Sequence, residues 1–158
     1  MRASGSRLRR YNPTSDDFKK EEFPLYWLAR VHGRYTLAME KTLKKIGMDI
    51  PRYRILFILK EQGMSSISEI AEHAVAKLPT ITKTIYRMKD DGLVDTAPSP
   101  DDGRVTQVTL TAKGQEAIID IEAATTKLFN QSFKGMTEAQ LKRLNRMLET
   151  IFNNLPEH

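Results

Sequence analysis

Ser66-Ile67-Ser68-Glu69 is the stretch that most restricts what this chain can fold into. A serine followed three residues later by a glutamate makes a capping box, in which each side chain satisfies a backbone N–H at a helix start. A helix therefore begins there, with Ile67, Ile70, Ala71 and Ala74 as its inward stripe. Residues 75–78 link it to Pro79, a residue favoured at a first helical position. Two helices joined so briefly have helix-turn-helix spacing. The second of them, predicted over 79–91, sets Ile81, Ile85 and Met88 on one side at offsets of four and three. At about 100° per residue, Pro79, Thr80, Lys83, Tyr86, Arg87 and Asp90 fall on the opposite side, with Thr82 and Thr84 at its borders.

Immediately downstream, Leu93–Ala97 and Val105–Leu110 read as short strands joined by Pro98-Ser99-Pro100-Asp101-Asp102-Gly103-Arg104. The alternation of Thr106, Val108 and Leu110 with Val105, Gln107 and Thr109 suits a β-hairpin, and Asp102-Gly103 supplies turn chemistry at its tip. A basic hairpin after a helix-turn-helix is a wing. The second helix of such a pair fits the major groove of DNA while the first braces it, so Thr80, Thr82, Lys83 and Arg87 are candidate DNA contacts. Arg104 is the candidate for the adjacent minor groove, whose narrowness concentrates negative potential, and Asp102 is placed to orient its guanidinium. A solvated helix face and an ordinary exposed turn fit the same residues.

The flanking segments are helical. Leu28, His32, Tyr35, Met39, Leu43 and Ile46, spaced by three or four, predict a helix from Phe18 to Ile46 that stops at Gly47. A second follows from Pro51, with Tyr53, Ile55, Leu56, Ile58 and Leu59 as an apolar face and Gly63 at its end. Beyond the hairpin, Thr111 caps a helix running to about Ser132, carrying Ile118, Ile121, Thr125, Leu128 and Phe129, and Gly135 closes it. Thr137-Glu138-Ala139-Gln140 is another capping box, with Met136 and Leu141 at the staple positions. Leu141, Leu144, Leu148, Ile151 and Leu155 then form a seam of the kind by which helices pair, or an ordinary intramolecular core. Residues 1–17 show no periodicity and read as a flexible basic arm; Arg2, Arg7, Arg9 and Arg10 suit either a solvated tail or a DNA-contacting arm.

Composition removes whole classes of function. With no cysteine among 158 residues there is no disulfide, thiol switch or cysteine-ligated metal, and three histidines make a poor zinc set. No apolar run reaches bilayer length and no signal-peptide core opens the chain, so a cytoplasmic protein without membrane contact is expected. The formal charge of +5 favours a polyanionic partner. No nucleophile–base pair, metal site or glycine-rich phosphate loop is visible, so an enzyme is not expected and no cofactor is implied.

Residues 67–94, ISEIAEHAVAKLPTITKTIYRMKDDGLV, and 100–114, PDDGRVTQVTLTAKG, resemble the MarR family of bacterial transcriptional regulators, the latter through Asp-x-Arg followed by Leu-Thr-x-x-Gly. The resemblance covers about residues 23–155 and departs from the family at Pro79, where a small polar residue is frequent. It implies a mainly α fold with a small β-wing: a basic arm at 1–17, an N-terminal dimerisation helix at 18–50, a winged helix-turn-helix DNA-binding lobe at 51–110, and C-terminal dimerisation helices at 111–158. It further implies a homodimer on a palindromic stretch of double-stranded DNA, and a repressor released by a small aromatic or anionic effector such as an aromatic acid or its coenzyme A thioester. Trp27, Arg30, His32, Arg34, Tyr35, Tyr53 and Arg54 combine aromatic surface with cations and are the candidate effector residues, although each also suits ordinary packing. A winged-helix protein-interaction module and a constitutive, ligand-independent DNA-binding protein are the alternatives.

Overall fold

The computed structural model describes residues 8–156. Six helices and three short strands follow in the order α1 (Pro24–Lys44), α2 (Ile50–Gln62), β1 (Ser65–Ser66), α3 (Ile67–His73), α4 (Leu78–Asp90), β2 (Val94–Pro98), β3 (Thr106–Leu110), α5 (Ala112–Ser132) and α6 (Glu138–Asn154). The chain divides into two compact units, one running to Thr125 and the other from Thr126. The expected mainly helical fold with a β-wing is the one observed.

In the first unit the core collects around α2, α3 and α4. Ile55, Leu56 and Leu59 of α2, Ile70 of α3, Ile81, Ile85 and Met88 of α4, and Val94 and Val108 of the sheet are all buried. The stripes expected for the two helix-turn-helix elements are thus the buried ones. Burial of each such side chain contributes about 1.5–3 kcal/mol, so these short helices are held by packing rather than by propensity. The capping box at Ser66 is present, with Ser66 Oγ accepting from Glu69 N at 3.2 Å and Glu69 Oε2 accepting from Ser66 N at 2.7 Å.

Several local features differ from the sequence reading. Helix α1 begins at Pro24 rather than Phe18, because a residue before proline is pushed to extended backbone and Phe23 sits at φ −88°, ψ 116°. The residues before it form 3-10 turns at Arg9–Tyr11 and Lys20–Glu22, with Arg10 paired to Glu22 at 2.5 Å; Arg2 and Arg7 lie outside the described residues. Pro79 is the second residue of α4, since the helix is entered from Lys77 through Leu78. The wing gains a third strand. Ser65 and Ser66 pair with Val108 and Gln107, placing β3 between β1 and β2.

The hairpin register pairs Val94 with Leu110 and Pro98 with Thr106. Its far side is closed by the predicted cap: Thr111 Oγ1 accepts from Gly114 N at 3.0 Å and donates to the Gly92 carbonyl at 2.6 Å. In the second unit, α6 starts at the expected capping box, Thr137 Oγ1 accepting from Gln140 N at 3.2 Å. No residue of α6 is buried, and Met147, Leu148, Phe152 and Leu155 are exposed.

Candidate nucleic-acid interface and effector cleft

Helix α4 presents the face that its periodicity assigned to solvent. Thr80, Lys83, Tyr86 and Arg87 are exposed, Thr82 is half-buried and Thr84 is buried. A groove of about 550 Å³ runs beside it, lined by Pro79, Thr80, Lys83, Thr84 and Arg87. Three of the four predicted contacts on this helix therefore share one surface, and Thr82 stands outside the groove. Its hydroxyl donates to the Leu78 carbonyl at 2.8 Å, so the oxygen is left to act as an acceptor. Thr84, placed at the border by the sequence, turns inward because its hydroxyl is satisfied by the Thr80 carbonyl at 2.9 Å. Lys83 has no ion-pair partner among the described residues, whereas Arg87 Nη2 lies 3.5 Å from Asp49 Oδ2.

At the wing tip Val105 N donates to the Asp102 carbonyl at 2.9 Å, closing a turn in which Gly103 does not use left-handed backbone. Arg104 donates to Asp102 three times: through its backbone N at 3.0 Å, through Nε to Oδ1 at 3.1 Å and through Nη2 to Oδ2 at 3.1 Å. The fork arises from the sequence order itself, since an aspartate two residues before an arginine in a tight turn can accept from both its main chain and its side chain. These bonds from Arg104 hold the Asp102 carboxyl below the usual aspartate range. The Arg104 side chain is nevertheless 92% exposed, which leaves its remaining N–H groups to solvent.

The candidate effector residues separate. His32 of α1 and Tyr53 and Arg54 of α2 come together on an open cleft of about 760 Å³. Trp27, Arg30, Arg34 and Tyr35 do not line it. The Trp27 indole N–H is committed to the Glu21 carbonyl at 2.7 Å, Arg30 stacks over the Tyr26 ring at 5.5 Å, and Arg34 is exposed. Tyr35 is half-buried, and that burial, together with Tyr53, raises its phenol pKa.

The cleft adds residues the sequence reading did not select: Phe57, Lys60, Glu61, His73, Ala74 and Val75 among them. The Phe57 ring lies 4.8 Å from that of Tyr53, one turn along α2, a spacing that the sequence did display. His73 and Val75 arrive from α3 and its exit, through tertiary packing that no local pattern announces. An aromatic pair on one wall and an Arg54 guanidinium with no ion-pair partner among the described residues suit a flat, anionic molecule. Lys60 is turned to Glu122 and toward the Phe57 ring. Among the described residues no group of three or more His, Asp or Glu side chains could hold a metal ion, and no helix is long and apolar enough to cross a membrane.

An outward cationic helix face beside a β-wing tipped by arginine defines a winged helix-turn-helix DNA-binding protein. The sequence model of the MarR family matches residues 48–106. The HTH-type transcriptional repressor IacR of Pseudomonas putida is 65% identical over 145 residues, covering 92% of this chain and 87% of that protein. The chain belongs to the MarR family, and is a DNA-binding transcriptional repressor rather than an enzyme. Among solved structures it resembles a MarR mutant from E. coli complexed with operator DNA, with TM-score 0.72, 20% identity, and 87% and 97% of the two chains covered. It also resembles Bordetella bronchiseptica BpsR, whose DNA binding is regulated by 6-hydroxynicotinic acid, with TM-score 0.69, 21% identity, and 80% and 96% covered.

Proposed function

We propose that this repressor acts in the cytoplasm as a homodimer on a palindromic operator, and that a small aromatic or anionic ligand in the cleft of His32, Tyr53 and Arg54 lowers its affinity for DNA. Two α4 helices related by a twofold axis read half-sites about one helical turn apart. Thr80 and Lys83 face the major groove with Thr82 at the border, Arg87 reaches the phosphates, and Arg104 enters the flanking minor groove. The observation that carries this reading is the Arg104 fork: a guanidinium held at two points by Asp102, yet 92% exposed, is ordered in advance for a partner outside the chain.

The cleft supplies the regulatory half of the proposal. An aromatic acid would stack against the Tyr53–Phe57 wall and place its carboxylate at Arg54. The regulation of BpsR by 6-hydroxynicotinic acid supports that ligand class.

Binding of the chain to sheared genomic fragments, followed by sequencing, tests the operator. A shared palindrome is expected, with affinity falling steeply between about 50 and 200 mM salt as phosphate contacts release counterions. Affinity that stays flat over that range, or enrichment with no common motif, would refute the operator reading. For the effector, a panel of aromatic acids and their thioesters should include members that raise the melting temperature and displace DNA. A panel without any such member would exclude this class.

A further inference from the structure

Arg87 differs from Lys83 on the same helix face in having a carboxylate tied to it, and from Arg104 in that this carboxylate comes from a different element. Asp49 caps α2, accepting from Arg52 N at 2.9 Å through Oδ1 and from Arg52 Nε at 3.0 Å through Oδ2. The same Oδ2 stands 3.5 Å from Arg87 Nη2, across from α2 to the exposed side of α4. Arg52 is itself fixed, donating to the Gly47 carbonyl at 2.9 Å and lying 3.8 Å from Asp91. The carboxylate therefore sits in a stiff frame made of the α1–α2 turn, the start of α2 and the end of α4. Arg87 is the loose member, with its side chain 58% exposed against 38% for Asp49.

We propose that Asp49 is a positioning residue for operator recognition, tethering Arg87 so that its guanidinium serves a phosphate in one register and serves other registers poorly. The inference rests on the reading of Arg87 as a phosphate contact. A guanidinium carries five N–H donors, and only the Nη2 side faces Asp49, so Arg87 can keep its tether and still donate to a phosphate aligned with the tethered geometry. In a displaced register Arg87 must either swing off Asp49 or leave the phosphate unserved. The carboxylate also lies well within a Debye length of that phosphate and repels it, which opposes any complex in which Arg87 does not stand between them. A fixed anion behind a mobile cation thus lowers affinity for misaligned duplex more than for the operator, and specificity is the difference between those two affinities.

Asp49→Asn separates this role from the structural one, because asparagine caps helices about as well as aspartate and keeps the shape while losing the charge. With wild-type secondary structure verified by circular dichroism, the variant should bind random-sequence duplex about 3- to 10-fold tighter and the operator less than 2-fold tighter, so that the ratio of the two affinities falls. Its random-duplex salt slope should steepen by up to about 0.9, the increment for one further phosphate contact. In an Arg87→Ala background Asp49→Asn relieves only the repulsion, which acts on every duplex alike, so the ratio of the two affinities should stay constant. An unchanged affinity ratio in Asp49→Asn, or the same change whether or not Arg87 is present, overturns the proposal while leaving Arg87 as a phosphate contact. Arg87→Ala binding DNA like wild type overturns both.

Discussion

Gly114 shows how one backbone position ties the wing to α5. A Cβ built there lies 2.2 Å from the Leu93 carbonyl oxygen and 3.2 Å from Leu110 Cδ2, and the first of these neighbours is main chain that cannot rotate away. The approach is fixed by Thr111, whose hydroxyl bridges Gly114 N and the Gly92 carbonyl. Gly114→Ala should therefore destabilise by about 3 kcal/mol through overpacking, measured by urea unfolding, and an unchanged midpoint would show that α5 can slide. Val75 presents the opposite case. It ends α3 at φ 51°, with Val75 N bonded to the Glu72 carbonyl and Ala76 N to the Ala71 carbonyl, the bond pair that Gly92 and Leu93 make at the end of α4. A β-branched residue in left-handed backbone costs about 1–2 kcal/mol, partly offset by the extra chain entropy glycine loses on folding. With the Val75 side chain 90% exposed there is almost no packing to lose, so Val75→Gly should raise stability by about 0.5–1 kcal/mol in the same assay. Sequence alone displayed Gly114 as a letter in a pattern and 75–78 as a link. The carbonyl that excludes a methyl group, and the strain that closes the turn, are set by contacts distant in sequence.

Elements were legible where their signals are local. Both capping boxes formed, and the stripes of α3 and α4 are the buried ones, because caps and helical periodicity act within a few residues. Strand β1 escaped, since two serines carry no strand signal and acquire one only by pairing with Gln107 and Val108. The candidate effector residues divide for a related reason: His32, Tyr53 and Arg54 meet at one cleft, whereas Trp27 and Arg30 find local partners instead. The cap of α3 makes an element-scale prediction in pH. Hydrogen bonds from the Ser66 main chain and side chain lower the Glu69 pKa. A group whose folded pKa is depressed stabilises fully above its unfolded pKa, and that contribution is lost as pH falls through the folded value. Carboxyl NMR should accordingly place the Glu69 midpoint below the ordinary glutamate range. Ser66→Ala should return it upward and cost about 1 kcal/mol of stability, and a midpoint indifferent to this substitution would mean that the box does not persist in solution.

At the scale of the molecule, the first helix and the last carry apolar side chains that the single chain leaves in water. On α1, Leu25, Leu28, Val31 and Leu37 are exposed, Val31 at 62%; on α6, Leu148 and Phe152 are exposed, Phe152 at 75%, as is Leu155 just past its end. Scattered apolar exposure is ordinary, but leucines and aromatics recurring along both terminal helices are the composition of an interface core. A second copy of the chain is the occupant that the proposed palindromic operator requires, because each protomer of the proposed dimer would supply one α4 and one wing. Wild-type protein should therefore sediment at twice the mass of the chain. Val31→Glu and Phe152→Glu place a carboxylate where the monomer is already exposed, so helicity by circular dichroism should persist. Buried against a second copy, the same charge is unpaired and should drive the sedimentation coefficient to the monomer value. Losing the linkage between half-sites should then weaken operator binding by about 10²- to 10⁴-fold, with much less effect on a single half-site. Variants that remain dimeric would place the interface elsewhere, and wild-type protein that sediments as a monomer while binding its operator tightly would end the twofold reading.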